Sequence, residues 1–94
     1  MEKSYVRCAL YFEFDETDTE KVYVCNDKLQ ADKAKNPDKY PKFPYPAQGH
    51  LFGKPAGFYI VEGTQEQIFN FTQAWVPYKR FRVELIAEAR ARAL

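Results

Sequence analysis

Three side chains are the first candidates for acid–base chemistry: His50, Glu62 and Arg7. His50 is the only histidine, and an unperturbed imidazole titrates near neutral pH, which suits a general base or an axial haem ligand. The same residue also fits a surface or hydrogen-bonded structural role, because neither a second ligand nor a positioned carboxylate accompanies it. Glu62 and Arg7 are expected to form a charge pair, either within a site or as a structural pair that fixes dimer register.

A surplus of rings is the second chemical signal. Aromatic residues make up 17% of the chain, enough for a packed core and an additional aromatic pocket. Such a pocket would suit a flat apolar ligand, although the rings could equally form a small core of their own. The predicted ligand-binding residues are Tyr11, Tyr45, His50, Phe52 and Tyr59.

Other reactive groups are given structural roles. Cys8 and Cys25 are expected to be buried reduced thiols, because their spacing suggests neither a zinc site nor a disulfide framework. Lys79, Arg80 and Arg82 form a basic cluster that is predicted to be a solvated sheet edge rather than an anion site. Phosphate-binding and nucleophile motifs are absent from the sequence, which predicts no motif-based catalysis but leaves chemistry in a dry cavity open.

Length and charge limit the classes of function. The 94 residues are predicted to form one domain, 1–94. Fourteen Lys and Arg against thirteen Asp and Glu give a net charge of +1, which provides no field for binding nucleic acid or anionic lipid. The sequence has no long apolar run and no apolar segment at its amino terminus, so a cytoplasmic location is expected.

The first half of the chain predicts a strand, a helix and a stiff arm. Residues 5–14 alternate between an apolar face and a mixed face that holds Arg7 and Tyr11. A capping box of Thr17 and Glu20 predicts a helix that runs to about Lys35. Residues 36–48, hereafter the arm, contain four of the six prolines. The arm is expected to be rigid and either to cover a pocket as a lid or to extend over the surface of a partner.

The second half predicts a hairpin, a helix and a last strand. Residues 49–53 are expected to form the second strand and to pair with a third strand at residues 57–63. Thr64 and Gln67 form a capping box, and the stripe on the helix that follows is Ile68, Phe71 and Trp75. Alternation at residues 81–85 predicts the fourth strand, and residues 87–94 are expected to form a short helix or tail.

This element order predicts an α+β, ferredoxin-like β-α-β-β-α-β fold with a four-stranded antiparallel sheet. Both helices would cover one face of that sheet. The other face would be exposed in a monomer, and the usual remedy is association with a second copy. We therefore expect a homodimer.

Residues 57–62, Ala74–Trp75, Pro77–Tyr78 and 81–84 resemble the carboxy-terminal half of small dimeric α/β-barrel proteins that are catalogued as a domain of unknown function. This resemblance implies a homodimeric barrel. It also implies relatives in a wider superfamily that includes cofactor-free monooxygenases, haem-degrading enzymes, lactone isomerases and stress-response barrels. It implies no catalytic residues, and the arm is longer than that group leads us to expect.

Three hypotheses follow for the function. The first is a homodimeric α/β barrel that binds a small apolar or aromatic ligand, with no predicted cofactor and with catalysis left open. The second is an accessory subunit that docks on a larger protein through the arm and the terminal helix, a hypothesis motivated by Tyr23, Val24 and the proline-aromatic composition of the arm. The third is a haem-handling enzyme that uses His50.

Overall fold

The structure is a computed structural model that describes residues 5–49 and 54–87. Its elements are β1 (Tyr5–Phe14), α1 (Thr19–Lys35), β2 (Gln48–Gly49), β3 (Ala56–Thr64), α2 (Gln65–Gln73) and β4 (Lys79–Ile86). The strands form one antiparallel sheet in the order β2-β3-β1-β4. This confirms the predicted α+β class, and the arrangement is compatible with a ferredoxin-like fold. Within the described range, neither helix has the length and apolarity needed to cross a membrane.

The central strand β1 separates the two faces of the sheet as its alternation predicts. Cys8 and Leu10 are buried on the face that packs against the helices. Arg7 and Tyr11 lie on the opposite face, hereafter the open face, where each pairs with a residue of a neighbouring strand. The core joins both helices, the arm and the sheet, and consists of Cys8, Leu10, Val22, Leu29, Tyr40, Val61, Ile68, Phe71 and Trp75.

Helix α2 begins with the predicted capping box. The Thr64 hydroxyl accepts a hydrogen bond from the Gln67 backbone N–H, and the Gln67 side chain accepts one from the Thr64 N–H. These bonds satisfy amide groups that the first turn of a helix leaves unpaired. The helix ends at Gln73, and Trp75 is buried in the turn that follows.

Helix α1 begins differently from the prediction. Asp15 caps a short 3-10 turn at Glu16–Asp18 by accepting hydrogen bonds from the backbone N–H and the hydroxyl of Thr17. The predicted Thr17–Glu20 capping box is therefore wrong, because Thr17 is already engaged one turn earlier. The helix does end at Lys35, and its buried residues are Val22 and Leu29.

The arm is attached to the outer edge of β3 at two points. Lys42 exchanges two backbone hydrogen bonds with Glu62, at 2.8 and 2.9 Å. At the other end, β2 pairs with Gly57 and Phe58. Five arm residues lie between these attachments, opposite only three residues of β3, so the arm bulges outward.

Two prolines in the bulge account for the missing pairing. Pro44 and Pro46 carry no backbone N–H, so they cannot donate to the carbonyl groups of β3. The predicted second strand at residues 49–53 is corrected to Gln48–Gly49, and residues 50–53 lie outside the described range. The pairing of β2 with β3 confirms the predicted hairpin partner.

Asp32 holds the start of the arm against α1. Its carboxylate accepts hydrogen bonds from the Tyr40 hydroxyl, from Lys39 Nζ at 2.9 Å and from Asn36 Nδ2 at 3.0 Å. The bond from Tyr40 contributes most to lowering the pKa of Asp32 to about 2. Because this group is favoured in its charged form, the contribution is complete above the ordinary carboxyl pKa and is lost as the pH falls toward 2.

The last strand departs from the predicted burial. Val83 and Leu85 lie on the helix-facing side of β4, yet 51% and 75% of their surfaces are exposed. The helices cover β1 at Cys8 and Leu10 but do not extend over the neighbouring end of β4. Ala87 is in neither a helix nor a strand, and the rest of the predicted terminal helix lies outside the described residues.

We expect Gly57→Ala to destabilise the fold through the arm. An ideal Cβ at Gly57 would lie 2.0 Å from the carbonyl oxygen of Gln48, so β2 must move away from β3. We expect a loss of about 1–3 kcal/mol in the free energy of unfolding, measured by urea denaturation.

Gly49→Ala is the matched control in the same strand pair. A Cβ there meets no described atom within 4 Å outside its chain neighbours, so we expect a change within about 0.5 kcal/mol. Equal effects of the two substitutions would contradict the proposed close approach.

Candidate functional site

A cavity of about 410 Å³ lies between α1, the bulge of the arm and the helix-facing side of the sheet. Its floor is formed by Tyr59, Phe71 and Trp75. Leu29 and Lys33 of α1 form one wall, and arm residues 43–47 form the other. The volume falls in the range of small-molecule sites. The cavity exists because the arm does not pair with β3 along this stretch.

The rings of the floor and arm are held in edge-to-face contact. The Phe71 ring centroid lies 4.9 Å from that of Phe43, 5.1 Å from that of Tyr59 and 5.9 Å from that of Trp75. Aromatic pairs favour this geometry, which fixes the ring positions without a hydrogen bond. At the rim, Lys33 Nζ lies 4.7 Å from the centroid of Phe43. The surface is therefore apolar inside and cationic at its edge.

Lys79 is the residue whose environment differs most from the prediction. It is only 7% exposed, so its assignment to a solvated basic edge is wrong. Its Nζ lies 3.5 Å from the Trp75 ring centroid, 4.3 Å from that of Phe12 and 5.1 Å from that of Tyr59. It also donates a hydrogen bond of 2.6 Å to the Tyr59 hydroxyl. We call Lys79 with Phe12, Tyr59 and Trp75 the lysine box.

The alternation of β4 explains this position. Lys79 pairs with Phe14 and lies on the same face of the sheet as Phe81, while Arg80 and Arg82 point to the open face. Extending the predicted alternation of the strand by two residues would have placed Lys79 among the helices. Lysine side chains are mostly exposed in proteins, so the residue type by itself indicates a solvent-facing position.

The box changes the acidity of both polar groups. Burial lowers the pKa of Lys79 to about 8, because the charged ammonium group loses hydration, and an ionised Cys25 on α1 would act in the opposite direction. Burial also raises the pKa of Tyr59 to about 12. Within the described residues, Lys79 has no carboxylate partner. At neutral pH the box therefore holds a positive charge that is attracted to rings instead of an anion.

Trp75 adds a further polar group without a partner. Its Nε1–H is buried and finds no acceptor among the described residues. Burying a donor without an acceptor costs free energy, and native structures seldom leave such groups unmatched. Trp75 was predicted to be a core anchor, which is confirmed by its burial, and it also forms part of the cavity floor.

The open face carries the other charged candidates. Arg7 donates to Glu62 through Nε at 3.0 Å and Nη2 at 2.8 Å, which confirms the predicted charge pair. Arg82 lies over the Tyr11 ring at 4.3 Å. A second cavity, of about 380 Å³, includes Tyr11 and Arg82 but shares no residue with the first.

The predicted ligand-binding residues thus divide between two faces of the sheet. Tyr45 and Tyr59 line the cavity under the arm, whereas Tyr11 lies on the open face beside Phe58. His50 and Phe52 lie outside the described residues. Cys8 is buried and Cys25 is partly buried, both as free thiols. No group of three or more potential metal ligands occurs in the part of the chain that the structure describes.

We expect Lys79→Met to stabilise the protein at pH 7 and to change its alkaline pH profile. The folded state releases the Lys79 proton near pH 8 and the unfolded chain near 10.5, so the unfolded state binds more protons between these values. The free energy of unfolding of the natural chain should therefore rise with pH over this window relative to that of the variant. The two pKa values correspond to a relative gain of about 3 kcal/mol in the free energy of unfolding across this window, at about 1.4 kcal/mol for each pH unit between them.

Urea denaturation at a series of pH values measures the difference between the two profiles. The tyrosines and cysteines that also titrate in this range are present in both proteins. Lys28→Met removes an exposed lysine from α1 and should leave the shape of the profile unchanged. Parallel profiles for the natural chain and Lys79→Met would contradict the buried charge.

No family model, curated protein or solved structure matches the chain. The resemblance to dimeric α/β-barrel proteins therefore stays a prediction. The case for a function rests on the cavity under the arm and on the lysine box beside it.

Proposed function

We propose that this protein binds a small, flat aromatic molecule in the cavity under the arm. The observation that carries the proposal is the cavity itself, about 410 Å³ with a floor of Tyr59, Phe71 and Trp75. The residues available to contact a ligand are mostly rings and prolines, which favour planar apolar groups through stacking and edge-to-face contacts.

The fixed geometry of the arm supports this proposal. Tyr40 and Pro41 are buried, and Phe43 packs against the core, so the arm is anchored on both sides of the cavity. A wall held in position in the free protein lowers the ordering cost of binding. Tyr45 is 54% exposed at the mouth, where its ring is available to cover a bound molecule.

We also propose that two copies associate through the open face. Its centre is apolar, with the half-buried Phe58 and Ile60 on β3 next to Ala9 of β1, which is already buried in the single chain. Charged pairs such as Arg7–Glu62 and Glu13–Arg80 flank this centre. An apolar centre with a polar surround is typical of protein interfaces, and a two-fold axis would bring the same patch from each copy together.

An accessory role is the second candidate. Tyr23 and Val24 are 66% and 51% exposed on α1, on the side of the helix away from the core. Apolar groups there would suit a docking contact with a larger protein. Recovery of the chain in a fixed ratio with one enzyme from its native host, lost in Tyr23→Ser with Val24→Ser, would favour this role over ligand binding.

We expect Gln30→Phe to weaken binding of 2-naphthamide, a neutral bicyclic probe, by at least about tenfold. Gln30 is exposed on α1 and lines the cavity, so a ring at this position narrows the mouth without disturbing the core. The dissociation constant is measured by isothermal titration calorimetry.

Ala31→Phe is the matched control, because it adds the same ring at the next exposed position, which does not line the cavity. It should leave the affinity unchanged. An equal loss in both variants, or no binding by the natural chain, would contradict the proposed site.

We expect Ile60→Glu to weaken self-association by at least about tenfold, as measured by sedimentation velocity. The added carboxylate would lie at the apolar centre of the open face, where two copies would bury it. Val83→Glu introduces the same charge at an exposed position on the opposite side of the sheet and serves as the control. A natural chain that sediments as a monomer would contradict the dimer.

A further inference from the structure

The cavity and the lysine box share two residues, Tyr59 and Trp75. Each of them contacts Lys79 and also forms part of the cavity floor. A molecule resting on this floor is therefore separated from a buried ammonium group by one side chain. The chemistry of the box therefore bears on what the cavity can hold.

Two polar groups of the lysine box are hydrogen-bond donors without an acceptor among the described residues. Lys79 donates to the Tyr59 oxygen, which leaves the hydrogen of that hydroxyl free to donate, and no described residue accepts it. Trp75 Nε1–H also lacks an acceptor among the described residues. In the same part of the chain, no carboxylate pairs with Lys79. The Tyr59 hydroxyl and Trp75 Nε1–H therefore lack an acceptor, and the Lys79 charge lacks an anion, among the described residues.

The lining of the cavity carries a positive charge, as the lysine box does. Lys33 is the only charged residue among the described side chains that line it, and it lies at the rim. Aromatic faces attract the Lys79 ammonium group, but they accept hydrogen bonds from the Tyr59 and Trp75 donors only weakly. An anionic oxygen would satisfy these donors and also neutralise the charge.

We propose that the ligand of this cavity is an aromatic carboxylate, whose oxygen accepts a hydrogen bond from the Tyr59 hydroxyl while Lys79 supplies the countercharge. The proposal rests on the binding function proposed above and specifies the chemical class of the ligand. The planar ring system of the ligand would then occupy the space between Phe71 and the arm.

The groups that face Lys79 define how pH acts on this site. They are Tyr59 from β3, Phe12 from β1, Trp75 after α2 and the Cys25 thiol from α1. Lys79 loses its proton near pH 8, whereas a carboxylate ligand stays ionised throughout the neutral and alkaline range. A preference for the anion should therefore decline as Lys79 is neutralised.

The test compares 2-naphthoate with 2-naphthamide, which have the same rings and differ in charge. Calorimetry on the full chain at pH 7 should show about tenfold tighter binding of 2-naphthoate. Lys79→Met should remove this preference for 2-naphthoate over 2-naphthamide. Tyr59→Phe should reduce it by about fivefold, and Lys33→Met, at the rim, by no more than about twofold.

A second measurement uses the natural chain alone and so does not depend on the folding of any variant. The pH is raised from 7 to well above 8, where Lys79 is deprotonated. The affinity for 2-naphthoate should then exceed that for 2-naphthamide by about twofold or less. Equal affinities for the two probes at pH 7, or a preference that persists in Lys79→Met, would overturn the carboxylate assignment while leaving the aromatic site intact. Failure of both probes to bind would overturn the site and the assignment together.

Discussion

Two attachments of the arm to β3, with prolines between them, are the constraint on which the candidate site depends. The backbone of Lys42 pairs with that of Glu62, and β2 pairs with Gly57 and Phe58. A regular strand between these points would close against β3 and leave no space. Pro44 and Pro46 lack the amide hydrogens that such pairing requires, so the chain is fixed at both ends and held away in the middle. The cavity is thus a product of backbone chemistry as well as of side-chain size.

The lysine box has a different relation to stability. A methionine would fill the space of Lys79 without the cost of burying a charge. The neighbours of the buried ammonium group are aromatic rings and the Trp75 Nε1–H donor, none of which is an anion. Groups with strongly perturbed acidity that lie in or beside a cavity are candidates for function on this ground. Lys79 also lies beside the cavity in space, since Tyr59 and Trp75 belong to both the box and the cavity floor.

Local patterns in the sequence predicted the framework well. The capping box of Thr64 and Gln67 depends on residues near in sequence, and the two faces of β1 depend on a simple alternation. The pairing of Arg7 with Glu62, 55 residues apart, also follows from the predicted neighbourhood of β1 and β3. Apart from the Thr17–Glu20 capping box, where a local 3-10 turn replaces the predicted helix start, the errors in burial arose where tertiary packing decides the outcome. Strand alternation places Lys79 and Leu85 on the same face of β4, but whether that face is covered, as at Lys79, or exposed, as at Leu85, depends on how far the helices extend over the strand. The sequence also predicted a stiff arm beside a pocket. The cavity itself forms because five arm residues lie opposite only three residues of β3, between the attachments at Lys42 and at β2.

The bulge has a consequence for how this fold can diverge. Residues 43–47 contribute one wall of the cavity, while the sheet register and most of the core are set elsewhere. Insertions or deletions between the two attachments would enlarge or shrink the binding space and leave folding nearly unaffected, because closing a slightly longer loop costs little entropy. Relatives of this chain could then acquire new ligand preferences by changing arm length alone, a route to diversification that spares the scaffold.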